Sequence, residues 1–132
     1  MELMLDTNIC IYLIREHPPS VIERFSSHAV GDIGISVITL AELEYGVSKS
    51  SRPARNREAL EQFISPLEVA PFDRRATAVY GRLRTTLEKK GQAIGSMDLL
   101  IAAQALSLEV RLITHNVREF GRVPGLRVED WK

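Results

Sequence analysis

Short apolar runs alternate with longer helical stretches along the whole chain, and that alternation leaves few folds open. Leu3-Met4-Leu5 stops at Asp6, Ile33-Gly34-Ile35 lies within residues 31–36, and Leu67–Val69 follows Pro66. Arg111–Thr114 and Leu126–Val128 complete the series. Each run is too short for a helix and is bounded by polar or turn residues, so each reads as a strand. Helices are expected between them: Ile9–Ile14, Pro19–Phe25, Thr39–Ser48, Asn56–Ile64, a long one from the Asp73 cap to Lys90 stopped by Gly91, and Met97–Leu108 behind a Ser96 cap. Strands separated by helices pair in parallel, with helices on both faces of the sheet. The expected class is therefore α/β. With no long linker and no internal repeat, residues 1–132 read as one domain.

Composition narrows the setting. The single cysteine, Cys10, has no internal partner, which points to a reducing compartment. No apolar stretch approaches the roughly 20 residues of a membrane span, and Met1-Glu2 opens no basic leader. The expected location is the cytoplasm, away from membranes. Lys+Arg and Asp+Glu both number 17, so the net charge is zero and no general electrostatic grip on nucleic acid is advertised. The cations are mostly arginine, the better fork for phosphate. Arg15, the Arg52/Arg55/Arg57 group, Arg74, Arg75, Arg82, Arg84, Lys89 and Lys90 are candidate phosphate contacts, though any one of them taken alone reads first as a solvated helix face.

In parallel α/β sheets ligands gather at the carboxyl ends of strands, so polar residues there come first. Asp6 directly follows the first strand, in Asp6-Thr7-Asn8. All three residue types cap helices well, and one helix does not need three caps. Thr39-Leu40-Ala41-Glu42 has the spacing of a capping box, which alone would account for Glu42. Asp98 lies in the first turn of a helix that is apolar nearly all round and therefore buried. There the helix dipole is expected to keep its carboxylate ionised. Thr114-His115-Asn116 begins where the fourth strand ends. Its Thr and Asn also suit a turn, and His115 reads as a solvated turn residue before it reads as a base.

Together these positions form an all-oxygen set of Asp6, Glu42, Asp98 and the Asn116 amide. Hard cations such as Mg²⁺ and Mn²⁺ favour such ligands and keep several waters. Like charges packed together repel, so the cluster should be unstable without a cation. There is no Cys/His set for zinc, no glycine-rich phosphate loop and no nucleophile elbow.

Asp6-Thr7-Asn8-Ile9, Glu42 in its Ala-Glu-Leu setting, Gly95-Ser96-Met97-Asp98-Leu99 and Thr114-His115-Asn116-Val117-Arg118-Glu119-Phe120 resemble the PIN-domain family, and within it the VapC-type ribonuclease toxins. The resemblance runs in order through the whole chain. It implies a five-stranded parallel sheet of order 3-2-1-4-5 and an endoribonuclease dependent on Mg²⁺ or Mn²⁺. It implies Asp6, Glu42 and Asp98 as metal-binding acids, with Asn116 beside them at the catalytic centre. Thr7 and Thr114 would support them from behind. Many relatives carry an aspartate where this chain has Asn116, and Glu119 is the residue that could stand in for it. The resemblance further implies a cognate antitoxin, a homodimer, operator DNA bound only through the antitoxin complex, and structured RNA as substrate, with tRNA, initiator tRNA above all, as the leading choice. Substrate-contacting residues stay unassigned. A haloacid-dehalogenase-type phosphatase would need an aspartate at position 8, which is Asn8 here. A response-regulator receiver would need paired early acids and a late lysine. A non-catalytic PIN-like module that binds RNA or a partner remains the alternative, and Asn116 is the feature that favours it.

Overall fold

The computed structural model describes residues 1–131. Its elements follow in the order β1 (Leu3–Leu5), α1 (Thr7–Glu16), α2 (Pro19–Ser26), β2 (Ile33–Ser36), α3 (Val37–Lys49), α4 (Pro53–Ile64), β3 (Glu68–Ala70), α5 (Arg74–Lys89), α6 (Ser96–Leu108), β4 (Arg111–Ile113), α7 (Val117–Phe120) and β5 (Val128–Glu129). The strands form one sheet of order β3-β2-β1-β4-β5. Every pairing is parallel, as expected.

The pleat sorts β1 between two cores. Leu3 and Leu5 join Ile9, Leu13, Leu43, Val47 and Leu60 on one face. Met4 joins Leu83, Leu87, Leu99, Ile101 and Phe120 on the other. Successive side chains of a strand point to opposite faces, so a strand covered by helices on both sides reads as an unbroken apolar run. Truncating such a residue, Leu5 for instance, to alanine would cost about 2–5 kcal/mol. The apolar helix α6 is buried along its length, at Leu99, Ile101, Ala102, Ala103, Gln104 and Ala105. Buried Gln104 donates from Nε2 to the Ala70 and Pro71 carbonyls at 2.9 and 2.8 Å, tying α6 to the end of β3. At Gly34 in β2 a Cβ would lie 2.6 Å from the Glu68 carbonyl oxygen, so the β2–β3 approach admits no side chain there. Among the described residues no helix is long and apolar enough to cross a membrane.

Several element ends differ from expectation, each for a local reason. Helix α3 starts at Val37, because Ser36 accepts the Ile38 N–H and acts as the cap. Thr39 is therefore inside the helix, and the capping box over Thr39–Glu42 does not form. Helix α1 starts at Thr7 rather than Ile9, with Asp6 as its cap. Pro53 takes the first helical position of α4, three residues ahead of Asn56, where a missing N–H costs nothing. Gly95 rather than Ser96 caps α6. The segment after Asn116, for which no element was expected, is the short helix α7. Strands β3 and β5 lie one to two residues further along than expected.

Candidate active site

Parallel pairing sets the site. Leu5 is in register with Ile35 on one side and Ile113 on the other. The next residue of each strand, Asp6, Ser36 and Thr114, therefore emerges at the same edge. This is the switch point, where the chain leaves β1 for one side of the sheet and later returns on the other. The Asp6 N–H donates to the Ile113 carbonyl at 3.0 Å, which locks the two strand ends together.

Asp6 is held at both oxygens. Its Oδ1 accepts the Ile9 N–H at 2.8 Å, so the cap reading of Asp6 is correct as far as it goes. Its Oδ2 accepts the Thr114 hydroxyl at 2.5 Å. Thr114 in turn accepts the Asn116 N–H at 2.9 Å, which leaves its only proton for Asp6. Asp6 is just 2% exposed. Burial pushes its carboxyl pKa up, and the Thr114 and Ile9 hydrogen bonds work against that rise.

Glu42 comes from the second turn of α3 and reaches back over α1. Thr7 donates its hydroxyl to Glu42 Oε1 at 2.5 Å. Thr7 also lies 3.1 Å from the hydroxyl of Thr39, one turn before Glu42 on α3. With the capping box absent, this contact with the residue next to Asp6 is what fixes the Glu42 side chain.

Asp98, in the first turn of α6, is half-buried and faces other acids. Its carboxyl pKa is pushed up to about 7 by burial and by the Glu119 carboxyl, with which it shares a proton; Asp6 and Glu42 add to the rise. The helix dipole expected to keep Asp98 ionised is therefore not enough to keep it fully ionised near neutrality. A dipole contribution of about 0.3–1 kcal/mol at an end does not match desolvation plus three like charges. Glu119, expected as a supporting residue, sits among the acids. Gly95 donates its N–H to Glu119 Oε1 at 3.2 Å, and Asn116 Nδ2 donates to Glu119 Oε2 at 2.9 Å.

Asn116 joins the two halves. Its backbone supports Thr114 and so Asp6, while its side chain caps α7 through the Glu119 N–H at 3.4 Å and holds the Glu119 carboxylate. Both polar atoms of the amide are thus engaged with Glu119. His115 packs edge-on against Tyr12, with centroids 5.0 Å apart, and its Nε2 lies 3.8 Å from the Asp130 carboxylate.

The donor chemistry fits a hard divalent cation. Asp6, Glu42, Asp98 and Glu119 supply only oxygen, and burial together with the neighbouring carboxyls already drives Asp98 toward its neutral form. Among the described residues no three acidic, histidine or cysteine side chains converge into a ready-made ligand cage. An ion here would complete its shell with water, as Mg²⁺ commonly does.

A cavity of roughly 670 Å³ opens from this site between α1, α3 and α4. Thr7 and Glu42 stand at one end, Ile14, Val47 and Leu60 line it, and Arg15 and Lys49 lie on its wall. Tyr45 on the same wall is exposed and carries the Lys49 ammonium over its ring at 4.8 Å. Of the expected phosphate contacts, Arg15 lies here. Arg57 is paired with Glu44 at 2.6 Å, and Arg84 with Glu88 at 3.2 Å. Neither Thr39 nor Tyr45 was expected at the site. The spacing of Thr39 from Glu42 was visible, but the capping box explained it equally well.

The chain matches known proteins over nearly its whole length. The family described as PIN domain matches residues 3–126. The protein named Ribonuclease VapC2 of Rickettsia felis is 48% identical over 132 residues, spanning 99% of this chain and 98% of that protein. The tRNA(fMet)-specific endonuclease VapC of Shigella flexneri is 44% identical over 131 residues, with the same coverage. Among solved structures, VapBC from Salmonella typhimurium bound to DNA superposes with a TM-score of 0.97 at 44% identity, covering 100% of this chain and 99% of that one. VapBC2 from Rickettsia felis, bound to a DNA fragment from its promoter, superposes with a TM-score of 0.92 at 46% identity, covering all of both chains.

Proposed function

The chain belongs to the PIN domain family, and on that premise we propose that it is the toxin of a type II toxin–antitoxin pair: an endoribonuclease, dependent on Mg²⁺ or Mn²⁺, that cuts structured RNA and so inhibits translation. The observation that carries this reading is the gathering of Asp6, Glu42, Asp98 and Glu119 about the ends of β1 and β4, close enough that burial together with the Glu119, Asp6 and Glu42 carboxyls raises the Asp98 pKa to about 7. A core gains nothing from such an arrangement, and a cation does. Relatives named as VapC ribonucleases, one of them specific for tRNA(fMet), support tRNA as the substrate class, with initiator tRNA first. The superposed VapBC complexes support a VapB-type antitoxin as partner, with promoter DNA met through the complex. A homodimer and a cytoplasmic location complete the proposal, with residues 1–132 acting as one domain.

Asp6, Glu42 and Asp98 would hold the cation, with Glu119 beside Asp98. The bound ion supplies Lewis acidity, which activates water and neutralises charge on the phosphodiester in transit. The protein's part is placement. Thr114 and the Ile9 N–H hold the Asp6 carboxylate in one orientation. Thr7 does the same for Glu42. Asn116 and the Gly95 N–H orient Glu119 toward Asp98. Asp98 and Glu119 share a hydrogen bond that favours the protonated form of Asp98, and a cation held beside them would favour the ionised form. Arg15 and Lys49, on the cavity wall beside Glu42, are suited to RNA phosphates.

The test is cleavage. Antitoxin-free protein and Asp6→Ala, purified identically, are incubated with total tRNA in Mg²⁺ or in EDTA. Discrete products from the wild type alone, lost in EDTA, are expected, and end mapping then identifies the target. If the wild type cuts neither tRNA nor total cellular RNA in Mg²⁺, the chain is a binding module.

A further inference from the structure

We propose that Thr39 is a positioning residue for Glu42, acting through the Thr7 hydroxyl as the outer member of a buried three-group relay. The inference rests on the proposed metal-dependent site and adds to it a residue that touches neither substrate nor any acid. Thr39 is fully buried, and its side chain lies on the inner face of α3, one turn before Glu42. Its hydroxyl is 3.1 Å from that of Thr7, and the Thr7 hydroxyl is 2.5 Å from Glu42 Oε1.

Proton counting fixes the direction. An ionised carboxylate only accepts, and a hydroxyl has one proton. Thr7 must therefore give its proton to Glu42 and accept from Thr39. Thr39 becomes the outer donor, and a hydroxyl that accepts one hydrogen bond donates the next more strongly. The relay also fixes rotamers. Free to turn about χ1, Thr7 could aim its proton elsewhere; with Thr39 donating to it, the orientation toward Glu42 is selected. Glu42 has three side-chain torsions and is only half-buried, so it has the most freedom to lose. On the opposite side of the site the equivalent outer donor is the Asn116 N–H behind Thr114 and Asp6, a backbone group that cannot rotate away. Thr39 does with a side chain what the main chain does there.

The experiment compares the full-length wild type with Thr39→Val, Thr39→Ser and Glu42→Gln. Mn²⁺ affinity is read by calorimetry, and kcat and KM are read on a cleavable RNA. Thr39→Val keeps the shape and removes the donor. It is expected to weaken Mn²⁺ binding and lower kcat by about 10–100-fold, the usual range for groups behind a metal ligand, with KM for RNA unchanged. Thr39→Ser restores the hydroxyl and returns both readings to near the wild type. Adding Thr39→Val to Glu42→Gln changes Mn²⁺ affinity no further, since the relay then has no carboxylate to hold. If Thr39→Val does not fold, Thr7→Val breaks the same relay at its centre and should give the same loss. Wild-type Mn²⁺ affinity and kcat in Thr39→Val would overturn the relay, as would a Thr39→Ser variant as impaired as Thr39→Val. A wild type that binds no Mn²⁺ and cuts no RNA would instead overturn the functional reading beneath it.

Discussion

Two halves of one site treat their carboxylates in opposite ways. Asp6 is almost wholly buried, yet each of its oxygens has a donor aimed at it, from the Ile9 N–H and the Thr114 hydroxyl. Asp98 is only half-buried, yet its nearest polar neighbour is another carboxyl group, and its pKa rises to about 7. Exposure alone would predict the reverse, because burial is what usually raises an acid's pKa. Burial raises both, and the partners set the difference: donors oppose the rise at Asp6, and the Glu119 carboxyl adds to it at Asp98. The β1/β4 edge is a preset floor whose donors offset part of what burial costs the Asp6 carboxylate. The α6/α7 edge is a wall of like charge whose balancing partner must arrive from outside. Asn116 ties the two together, and the proposed cation would sit between them.

The comparison can be broken from either side, and the largest effect lies on the floor. Asp6→Asn keeps an acceptor for the α1 cap and removes the charge. Cleavage should fall below detection while the circular dichroism spectrum is unchanged. Residual activity near that of the wild type would remove Asp6 from the site.

Thr114→Val removes the donor behind Asp6. Activity should fall by about 10–100-fold, and urea unfolding should show a loss of about 1–3 kcal/mol, the cost of leaving a buried acceptor unpaired. A variant as stable as the wild type would mean that the floor is not preset.

On the wall, Glu119→Gln removes one of two repelling charges and keeps the side-chain length. We expect roughly a tenfold loss of activity, less than for Thr114→Val, because Asp98 remains. The Asp98 titration, followed by NMR of its carboxyl carbon, should move down toward the ordinary carboxylate range.

The smallest effect concerns stability without metal. Between an ordinary aspartate value and about 7, folded Asp98 binds a proton that the unfolded chain releases. Stability therefore falls as pH rises through that window. Asp98→Asn abolishes this slope. In EDTA at pH 8 it should be more stable than the wild type, by about 1 kcal/mol once solvent screening of a half-exposed group is allowed for.

Much of this was readable from the chain before any coordinates. The apolar runs announced the strands, because a strand covered on both faces has no polar positions to blur it, as at Leu3–Leu5. Asp73 and Gly91 bracketed α5, since cap and stop are local chemistry. The candidate site residues Asp6 and Asp98 stood out as acids beside apolar segments. What failed were choices between neighbouring caps. Ser36 and Thr39 both suit a helix start, and only the close of β2 at Ser36 decides between them. The cost of that ambiguity was functional, because Thr39 as a cap hides Thr39 as the partner of Thr7, 32 residues away. Glu119 was underrated for a similar reason. Its meeting with Asp98 depends on α7, too short a helix to carry a periodic signal. The state of Asp98 was misjudged because the dipole is visible in sequence, whereas the neighbouring acids become neighbours only in the fold.

One measurement tests most directly the claim that the wall is built for a cation: thermal unfolding of the wild type and Asp98→Asn at pH 8, each in EDTA and in Mn²⁺. The account predicts that Mn²⁺ raises the wild-type Tm strongly, and that Asp98→Asn starts higher in EDTA and gains little from Mn²⁺. A variant that starts lower than the wild type in EDTA, or gains as much from Mn²⁺, would contradict it.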